Sequence, residues 1–274
     1  MRRSPAVSPY RAPYRLYDTN IPQVMALDWI RPHSRVLEVG CASGRVSKLL
    51  VNNLDCSVVG IEIDPDLATE ARYSCEKVVV GDIENEEIWA SVCGDYDYVL
   101  FFDVLEHLKD PWKALRATRQ HCFGGLDTKL IGAIPNTLVW HTRVEFLLGN
   151  FEYRSGGTLD RGHLRFFTPP STRDMLQLAG FDVLQFEVSW HMPILSWLYS
   201  KWMCLGHPLA AQRLREKVGW ASPAFPLLRT LSPADDPRLV KLVNRVLGLP
   251  AQALPGLFGN HSIFLCGATA GEMQ

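Results

Sequence analysis

The stretch Val36 to Gly44, VLEVGCASG, decides how this chain folds. It begins as a short apolar run typical of a buried β-strand and ends in small residues, and a helical pattern begins at Arg45. Small residues at the carboxyl end of a strand let the backbone turn tightly and approach a ligand closely. The stretch therefore predicts a strand, a ligand-binding loop and a helix in succession.

The spacing of small residues in this loop separates classes of nucleotide site. A dinucleotide-binding loop requires GxGxxG, whereas here Gly40 and Gly44 lie four apart with Ala42 between them. No GK[ST] follows, which excludes a phosphate-binding P-loop. A nicotinamide-dependent enzyme is therefore a weaker alternative. A plain strand-to-helix turn without a ligand is the other alternative for this segment alone.

Strands and helices alternate outward from the loop. This alternation predicts crossover connections and a mostly parallel sheet with helices on both faces. A capping box of Ser171 and Asp174 is expected to begin the last helix before residue 190. The predicted strands are Ser34–Val39, Ser57–Ile63, Lys77–Val80, Tyr96–Phe102, Lys129–Ala133, Phe181–Ser189 and Ser262–Gly267, and the predicted helices are Arg45–Asn53, Pro65–Ser74, Pro111–His121 and Ser171–Ala179.

Composition and charge are those of an ordinary globular protein. The 274 residues carry a formal net charge of −1, so we expect no nucleic-acid partner. Seven scattered cysteines without a CxxC pair favour reduced thiols and a cytoplasmic location over a disulfide framework or zinc site. The sequence shows no secretory signal and no apolar run of about 18 residues or more.

Acidic residues lie at the ends of the second and third predicted strands or directly after them. Glu62 comes about twenty residues beyond the loop, and its carboxylate can accept both hydroxyls of a ribose. Asp64 is the less favoured neighbour and is expected to cap the next helix. Asp82 can accept a hydrogen bond from an adenine amino group, while Ile83 packs on the base.

The order of these segments resembles that of class I methyltransferases, which use S-adenosylmethionine (SAM). The loop is similar to their E/DxGxGxG loop, with Ala42 in place of the middle glycine. Residues 96–108, YDYVLFFDVLEHL, resemble the fourth strand of methyltransferases of types 11 and 23, and Lys129–Asn136 and Arg161–Thr168 resemble two later segments. The resemblance implies a Rossmann-like, doubly wound α/β sheet of seven strands, mostly parallel with the last strand antiparallel.

The resemblance also implies SAM as the methyl donor and assigns its parts to residues of this chain. From the amino-acid end to the adenine, the implied contacts are the loop residues Glu38, Gly40, Ala42, Ser43 and Gly44, then Phe102 and Asp103 beside the methionine, Glu62 at the ribose, and Asp82 and Ile83 at the base, with Ile63 as a further contact.

Two histidines are candidates for a catalytic base. An oxygen or nitrogen acceptor loses a proton as it is methylated, and the ordinary pKa of histidine lies near physiological pH. His107 comes one turn after the fourth strand, and His163 lies in RGHLRFFT; each could instead only bind nearby backbone. We expect no metal, although Asp103, Glu106 and His107 resemble a motif of ubiquinone-biosynthesis O-methyltransferases that suits a divalent cation.

The acceptor is expected to be a small molecule, glycan or lipid, methylated at oxygen. Aromatic residues in 136–168 and 190–260 would form its pocket, and peripheral membrane contact through 192–205 or 238–247 is an alternative. A protein that binds SAM without transferring its methyl group is a further alternative. The expected organisation is an N-terminal arm and lead-in helix at 1–30, a SAM-binding core at 31–190, a helical insertion or lid at 191–260, and a last strand and tail at 261–274.

Overall fold

The computed structural model describes residues 21–124, 127–190, 249 and 252–269. Most of the expected helical insertion, and both segments considered for membrane contact, lie outside the described residues. No helix among the described residues is long and apolar enough to cross a membrane. The six described cysteines are all free thiols.

Seven strands form one sheet in the order β3-β2-β1-β4-β5-β7-β6. Strands β1 to β5 pair in parallel, whereas β7 runs antiparallel to both β5 and β6. The predicted doubly wound, mostly parallel sheet with an antiparallel last strand is confirmed. The strands are β1 (Arg35–Val39), β2 (Ser57–Glu62), β3 (Lys77–Val80), β4 (Tyr98–Phe102), β5 (Lys129–Pro135), β6 (Phe181–Trp190) and β7 (Gly259–Ala268).

Helices cover both faces of this sheet, so each central strand packs on two sides. Val36 of β1 lies in one core with Leu50, while the next residue, Leu37, lies in the opposite core with Leu115. Successive strand residues point to opposite faces, and this is why the neighbouring apolar residues Val36 and Leu37 are both buried. The helices are α1 (Pro22–Ala26), α2 (Arg45–Leu54), α3 (Pro65–Ala71), α4 (Glu86–Val92), α5 (Pro111–Cys122), α6 (Trp140–Leu147), α7 (Pro169–Leu178) and α8 (Pro255–Phe258).

The predicted start of α7 is wrong. The N-cap is Thr168, whose backbone N–H donates to the Ser171 hydroxyl across 2.9 Å, and the Thr168 hydroxyl accepts from the Ser171 backbone N–H in return. The helix thus begins at Pro169, before Ser171. Proline is tolerated at the first helical position because its missing N–H would have no intrahelical partner there.

Helices α4 and α6 lie where the sequence pattern predicts none. Helix α4 follows Asn85, whose side chain accepts a hydrogen bond from the backbone N–H of Glu87 across 3.1 Å. This cap was a signal available in the sequence. Strand β7 begins at Gly259, three residues before the predicted Ser262, because it extends along both of its neighbours.

Candidate functional site

A cavity lies at the carboxyl ends of β1 and β4, where the strand order reverses. Open α/β sheets usually bind ligands at this point. The cavity has a volume of about 650 Å³, which is in the range of small-molecule sites. Its lining includes nine of the predicted cofactor residues: Glu38, Gly40, Ala42, Glu62, Ile63, Asp82, Ile83, Phe102 and Asp103. Ser43 and Gly44 are not part of this lining.

The glycines of the loop have two different surroundings. Gly40 has a φ of +70°, and a Cβ atom there would lie 2.5 Å from Cγ2 of Val104. The first glycine therefore allows the loop to press against the segment that follows β4. Gly44 has a φ of +75° and caps α2, and a Cβ there would lie 3.0 Å from Cα of Ala71. Its small size serves the packing of the loop against α3.

The Glu62 carboxylate is held by two backbone groups. One oxygen accepts the N–H of Ala42 across 2.8 Å, and the other accepts the N–H of Asp64 across 2.9 Å. These contacts join the end of β2 to the loop after β1 and orient the carboxylate at the cavity wall. Asp64 caps α3 as predicted, accepting the N–H of Asp66 across 2.8 Å.

Glu38 lies at the closed end of the same loop. Its side chain is almost fully buried and accepts a hydrogen bond from the Ser47 hydroxyl. Burial raises the pKa of Glu38 to about 8, in spite of this hydrogen bond. The Glu38 carboxyl is therefore mostly protonated at neutral pH.

The structure brings the two candidate catalytic histidines together. Their ring centroids lie 4.8 Å apart at 77°. Nδ1 of His107 lies 2.9 Å from the carbonyl oxygen of Gly162, and Nδ1 of His163 lies 3.0 Å from that of Thr158. A carbonyl oxygen only accepts, so Nδ1 donates in both rings, and Nε2 of each neutral ring is an acceptor.

These histidines differ in access to the cavity. His107 lines the cavity, whereas His163 is buried and is not part of the lining. Burial lowers the pKa of His163 below its ordinary value, so its ring is neutral near physiological pH. The accessible base candidate is therefore His107, and His163 lies behind it.

The buried carboxyl group of Glu106 lies next to the two histidines, His107 and His163. Glu106 is 1% exposed, and neither of its carboxyl oxygens has a hydrogen-bond partner among the described residues. Burial, and then the nearby Asp103, raise the pKa of Glu106 well above its ordinary value. One ligand atom each from Glu106, His107 and His163 lies within 4.8 Å of the others, and this oxygen and imidazole set fits a divalent cation.

Two residues that the sequence pattern did not single out contact Asp103. Nε2 of Gln23 donates to Oδ2 of Asp103 across 2.8 Å, and Nε2 of His261 lies 3.6 Å from Oδ1. Gln23 belongs to α1 and His261 to β7, far from Asp103 in the sequence. A polar residue in a short helix or at a strand end carries no local signal of such a contact.

Comparison with known proteins places the chain in a family. The profile of a methyltransferase domain matches residues 11–186. A ubiquinone biosynthesis O-methyltransferase of Xanthomonas campestris is 36% identical over 90 residues, which cover 31% of this chain and 37% of that protein. One of Acinetobacter baylyi is 29% identical over 104 residues, covering 34% and 43%. The matches thus span less than half the length of these curated relatives.

Solved structures share the fold. A SAM-dependent methyltransferase of Archaeoglobus fulgidus has a TM-score of 0.54 and 15% identity, covering 92% of this chain and 94% of that one. The [4+2]-cyclase SpnF has a TM-score of 0.52 and 14% identity, covering 96% and 85%. A cyclase with this fold illustrates that the fold alone does not determine the reaction. The domain profile matches well over half of the sequence, and this chain therefore belongs to the methyltransferase domain family, whose methyl donor is SAM.

Proposed function

We propose that this protein transfers the methyl group of SAM to a hydroxyl oxygen of a small amphipathic acceptor. The observation that carries the proposal is that His107 lines the same cavity as nine of the predicted cofactor residues. A base candidate and a cofactor site thus share one wall. The relatives named as O-methyltransferases of ubiquinone biosynthesis support oxygen as the accepting atom.

The cavity residues fit SAM part by part. Glu62 accepts one hydrogen bond at each carboxyl oxygen, which leaves lone pairs for the two ribose hydroxyls. Asp82 and Ile83 would contact the adenine, and Phe102 and Asp103 the methionine. When bound, SAM would supply a methyl group on a sulfonium sulfur; its carbon bonds to the acceptor oxygen as the carbon–sulfur bond breaks, and S-adenosylhomocysteine is the leaving group.

Loop residues would act at the amino-acid end of SAM. The loop backbone packs against Val104 at Gly40, and Gly40 itself lines the cavity, where a ligand can approach the backbone closely. Glu38 and Ala42 line the cavity beside it. Ser43 and Gly44 would act indirectly, by shaping the loop.

His107 is proposed as the base. Its Nε2 lone pair would take the proton of the acceptor hydroxyl while the oxygen attacks the methyl carbon. The hydrogen bond to the Gly162 carbonyl fixes both the tautomer and the ring orientation. His163 packs edge-on against this ring and, being neutral, adds no like charge when His107 takes the proton.

A line of aromatic rings, of which Phe166 and Phe151 are exposed, leads away from His163 and supports an amphipathic acceptor. His163 lies 6.5 Å from Phe166, Phe166 lies 6.3 Å from Phe151, and Phe151 stacks on Phe146 at 5.2 Å. Phe151 is 52% exposed, and the half-exposed Leu164 lines the cavity beside His107. Clustered exposed apolar side chains next to a cavity mark a ligand or interaction surface. An acceptor could place its hydroxyl at His107 and its apolar body along these rings.

Two measurements test the function. Mass spectrometry of the purified protein should find SAM or its demethylated product. Incubation with labelled SAM and a panel of catechols, phenols, glycans and lipid head groups should then label a hydroxyl compound. Binding of SAM with no methylation of any acceptor would support the non-catalytic alternative, and absence of SAM binding would reject the proposal.

A matched pair of acceptors tests the aromatic surface. For a catechol that bears an alkyl chain, Phe151→Ser should raise KM, because about 50 Å² or more of apolar contact is lost. For unsubstituted catechol, KM should stay the same. Tyr73→Ser, at a residue that is 92% exposed and lies after α3, is the control. An equal effect on both acceptors, or methylation of glycans alone, would contradict an amphipathic acceptor.

A further inference from the structure

Asp103 occupies a constrained position at the end of β4. Its φ is +56°, in the left-handed region that a residue with a side chain rarely adopts. Its backbone N–H donates to the carbonyl oxygen of Ala133 across 3.0 Å, which keeps the residue attached to β5. Backbone strain of this kind persists only where the surroundings enforce it, and it is frequent at ligand sites.

Side chains from both ends of the described chain lie beside the Asp103 carboxylate. Gln23, which is 5% exposed, donates its amide to Oδ2 across 2.8 Å from α1. Nε2 of His261 lies 3.6 Å from Oδ1 on the other side. Strand β7 brings His261 to this edge, because His261 pairs with Pro135 at the end of β5.

The tautomer of His261 is set by its neighbour. The Asn260 side-chain amide lies 3.1 Å from Nδ1 of His261 and can only donate at its nitrogen. Nδ1 is therefore the acceptor, and the ring hydrogen is on Nε2, the atom nearest Asp103. Burial lowers the pKa of His261, which keeps the ring neutral near physiological pH. The Asp103 carboxylate thus accepts a hydrogen bond from Gln23 on one side and has the Nε2–H of His261 nearby on the other.

The location of Asp103 relative to the loop indicates which part of a ligand its carboxylate can contact. Gly40 of the loop presses against Val104, the residue directly after Asp103. Asp103 consequently lies beside the loop proposed for the amino-acid end of SAM, and His107 comes one turn later. A carboxylate has about four acceptor sites, so the hydrogen bond from Gln23 leaves capacity for a cationic ligand group.

We propose that Gln23 and His261 are positioning residues that orient the Asp103 carboxylate toward the ammonium group of SAM. This inference rests on the proposed function, since it requires SAM in the cavity. It adds two residues that the sequence pattern did not indicate. It also gives the first described helix and the last strand a shared role in cofactor binding.

The test compares two ligands that differ by the amino-acid part of the cofactor. S-adenosylhomocysteine carries the ammonium group, and 5′-methylthioadenosine does not. In calorimetric titrations, Gln23→Leu should weaken S-adenosylhomocysteine about tenfold, because its hydrogen bond to the Asp103 carboxylate is lost. His261→Leu should weaken it less, by about threefold, because Nε2 lies 3.6 Å from Oδ1, beyond hydrogen-bond distance. Affinity for methylthioadenosine should change by less than about twofold. His261→Gln, which keeps a side-chain N–H donor, should retain most of the affinity.

Each alternative has its own outcome. Equal losses for both ligands would show a general structural defect, which melting curves of the unliganded variants would also reveal. Unchanged affinity for both ligands, with a raised KM for the acceptor, would place Asp103 on the acceptor side. Either result overturns the inference. Failure of the unmodified protein to bind S-adenosylhomocysteine at all would instead reject the proposed cofactor, so the two failures are distinguishable.

Discussion

His107 donates its Nδ1 hydrogen to the carbonyl oxygen of Gly162 across 2.9 Å, although 55 residues separate the two in the sequence. This hydrogen bond joins the turn after β4 to the RGHLRFFT segment. It leaves Nε2 of His107 as the free acceptor of the neutral ring at the cavity wall. The proposed role of His107 as the base depends on this hydrogen bond.

Replacing His107 should remove the base and spare the cofactor site. His107→Gln is expected to lower kcat by roughly 10²- to 10⁴-fold, which is the usual contribution of general-base catalysis. The dissociation constant of S-adenosylhomocysteine should remain unchanged. His33→Gln, at an exposed histidine before β1, is the control. A variant of His107 with normal turnover would rule out its role as the base.

Replacing Glu62 should weaken the cofactor. Glu62→Gln removes the negative charge and puts an amide donor opposite a backbone N–H, either that of Ala42 or that of Asp64. Loss of charge-assisted hydrogen bonds of about 1.5–3 kcal/mol predicts a 10- to 150-fold weaker binding of S-adenosylhomocysteine. Isothermal titration measures this, with exposed Glu152→Gln as the control. Equal affinities in a folded variant would reject the assignment of the ribose.

The loop glycine can be tested with its contact partner. Gly40→Ala should destabilise the protein and weaken S-adenosylhomocysteine, because φ is +70° and the new Cβ would lie 2.5 Å from Val104. Adding Val104→Ala relieves the overlap and should restore part of the loss, leaving about 1–2 kcal/mol from the left-handed backbone. Denaturant curves of both single variants and the double variant separate these effects. Complete recovery in the double variant would show that backbone conformation contributes nothing.

Glu38 predicts a pH dependence of stability. Its pKa is about 8 in the folded chain, against an ordinary value of 4.5 that applies to the unfolded chain. Between these values the folded state holds a proton that the unfolded state has released, so the contribution of Glu38 to stability falls as pH rises from about 4.5 to about 8. Glu38→Gln cannot titrate and should lose less stability over this range.

Melting temperatures from pH 5 to 9 check this effect of Glu38, with Glu152→Gln as the surface control. Parallel curves for Glu38→Gln and the unmodified protein would contradict the raised pKa. The buried Glu106 contributes in the same direction, since its pKa is also raised. The unmodified protein should therefore be most stable on the acid side of neutrality, apart from the other titrating groups.

Treatment with a chelator distinguishes a mechanism in which His107 accepts the proton directly from one in which a divalent cation activates the acceptor. Because His107 can accept the proton directly, prolonged treatment with EDTA and removal of the chelate should leave kcat unchanged. A divalent cation held by Glu106, His107 and His163 would instead polarise the acceptor hydroxyl. Loss of activity that added Mg²⁺ or Zn²⁺ restores would establish the cation and reject the metal-free mechanism.

The sequence determined the α/β sheet and its core strands, and nine of the eleven residues predicted to contact the cofactor line one cavity. These features are local: apolar runs form the strands, small residues turn the chain at Gly40, and acidic residues such as Glu62 stand at strand ends. Parallel strands then carry these ends to one edge of the sheet. The predicted start of α7 was wrong, because the N-cap is Thr168, three residues before Ser171, and the helix begins with two prolines, Pro169 and Pro170.

Only the tertiary structure decided which distant side chains meet. It placed His163 behind His107, left the Glu106 carboxyl buried without a hydrogen-bond partner among the described residues, and brought Gln23 and His261 to Asp103. None of these contacts has a periodic signature. They depend on the position of α1 and on the antiparallel insertion of β7 between β5 and β6, and both are set by packing across the whole sheet.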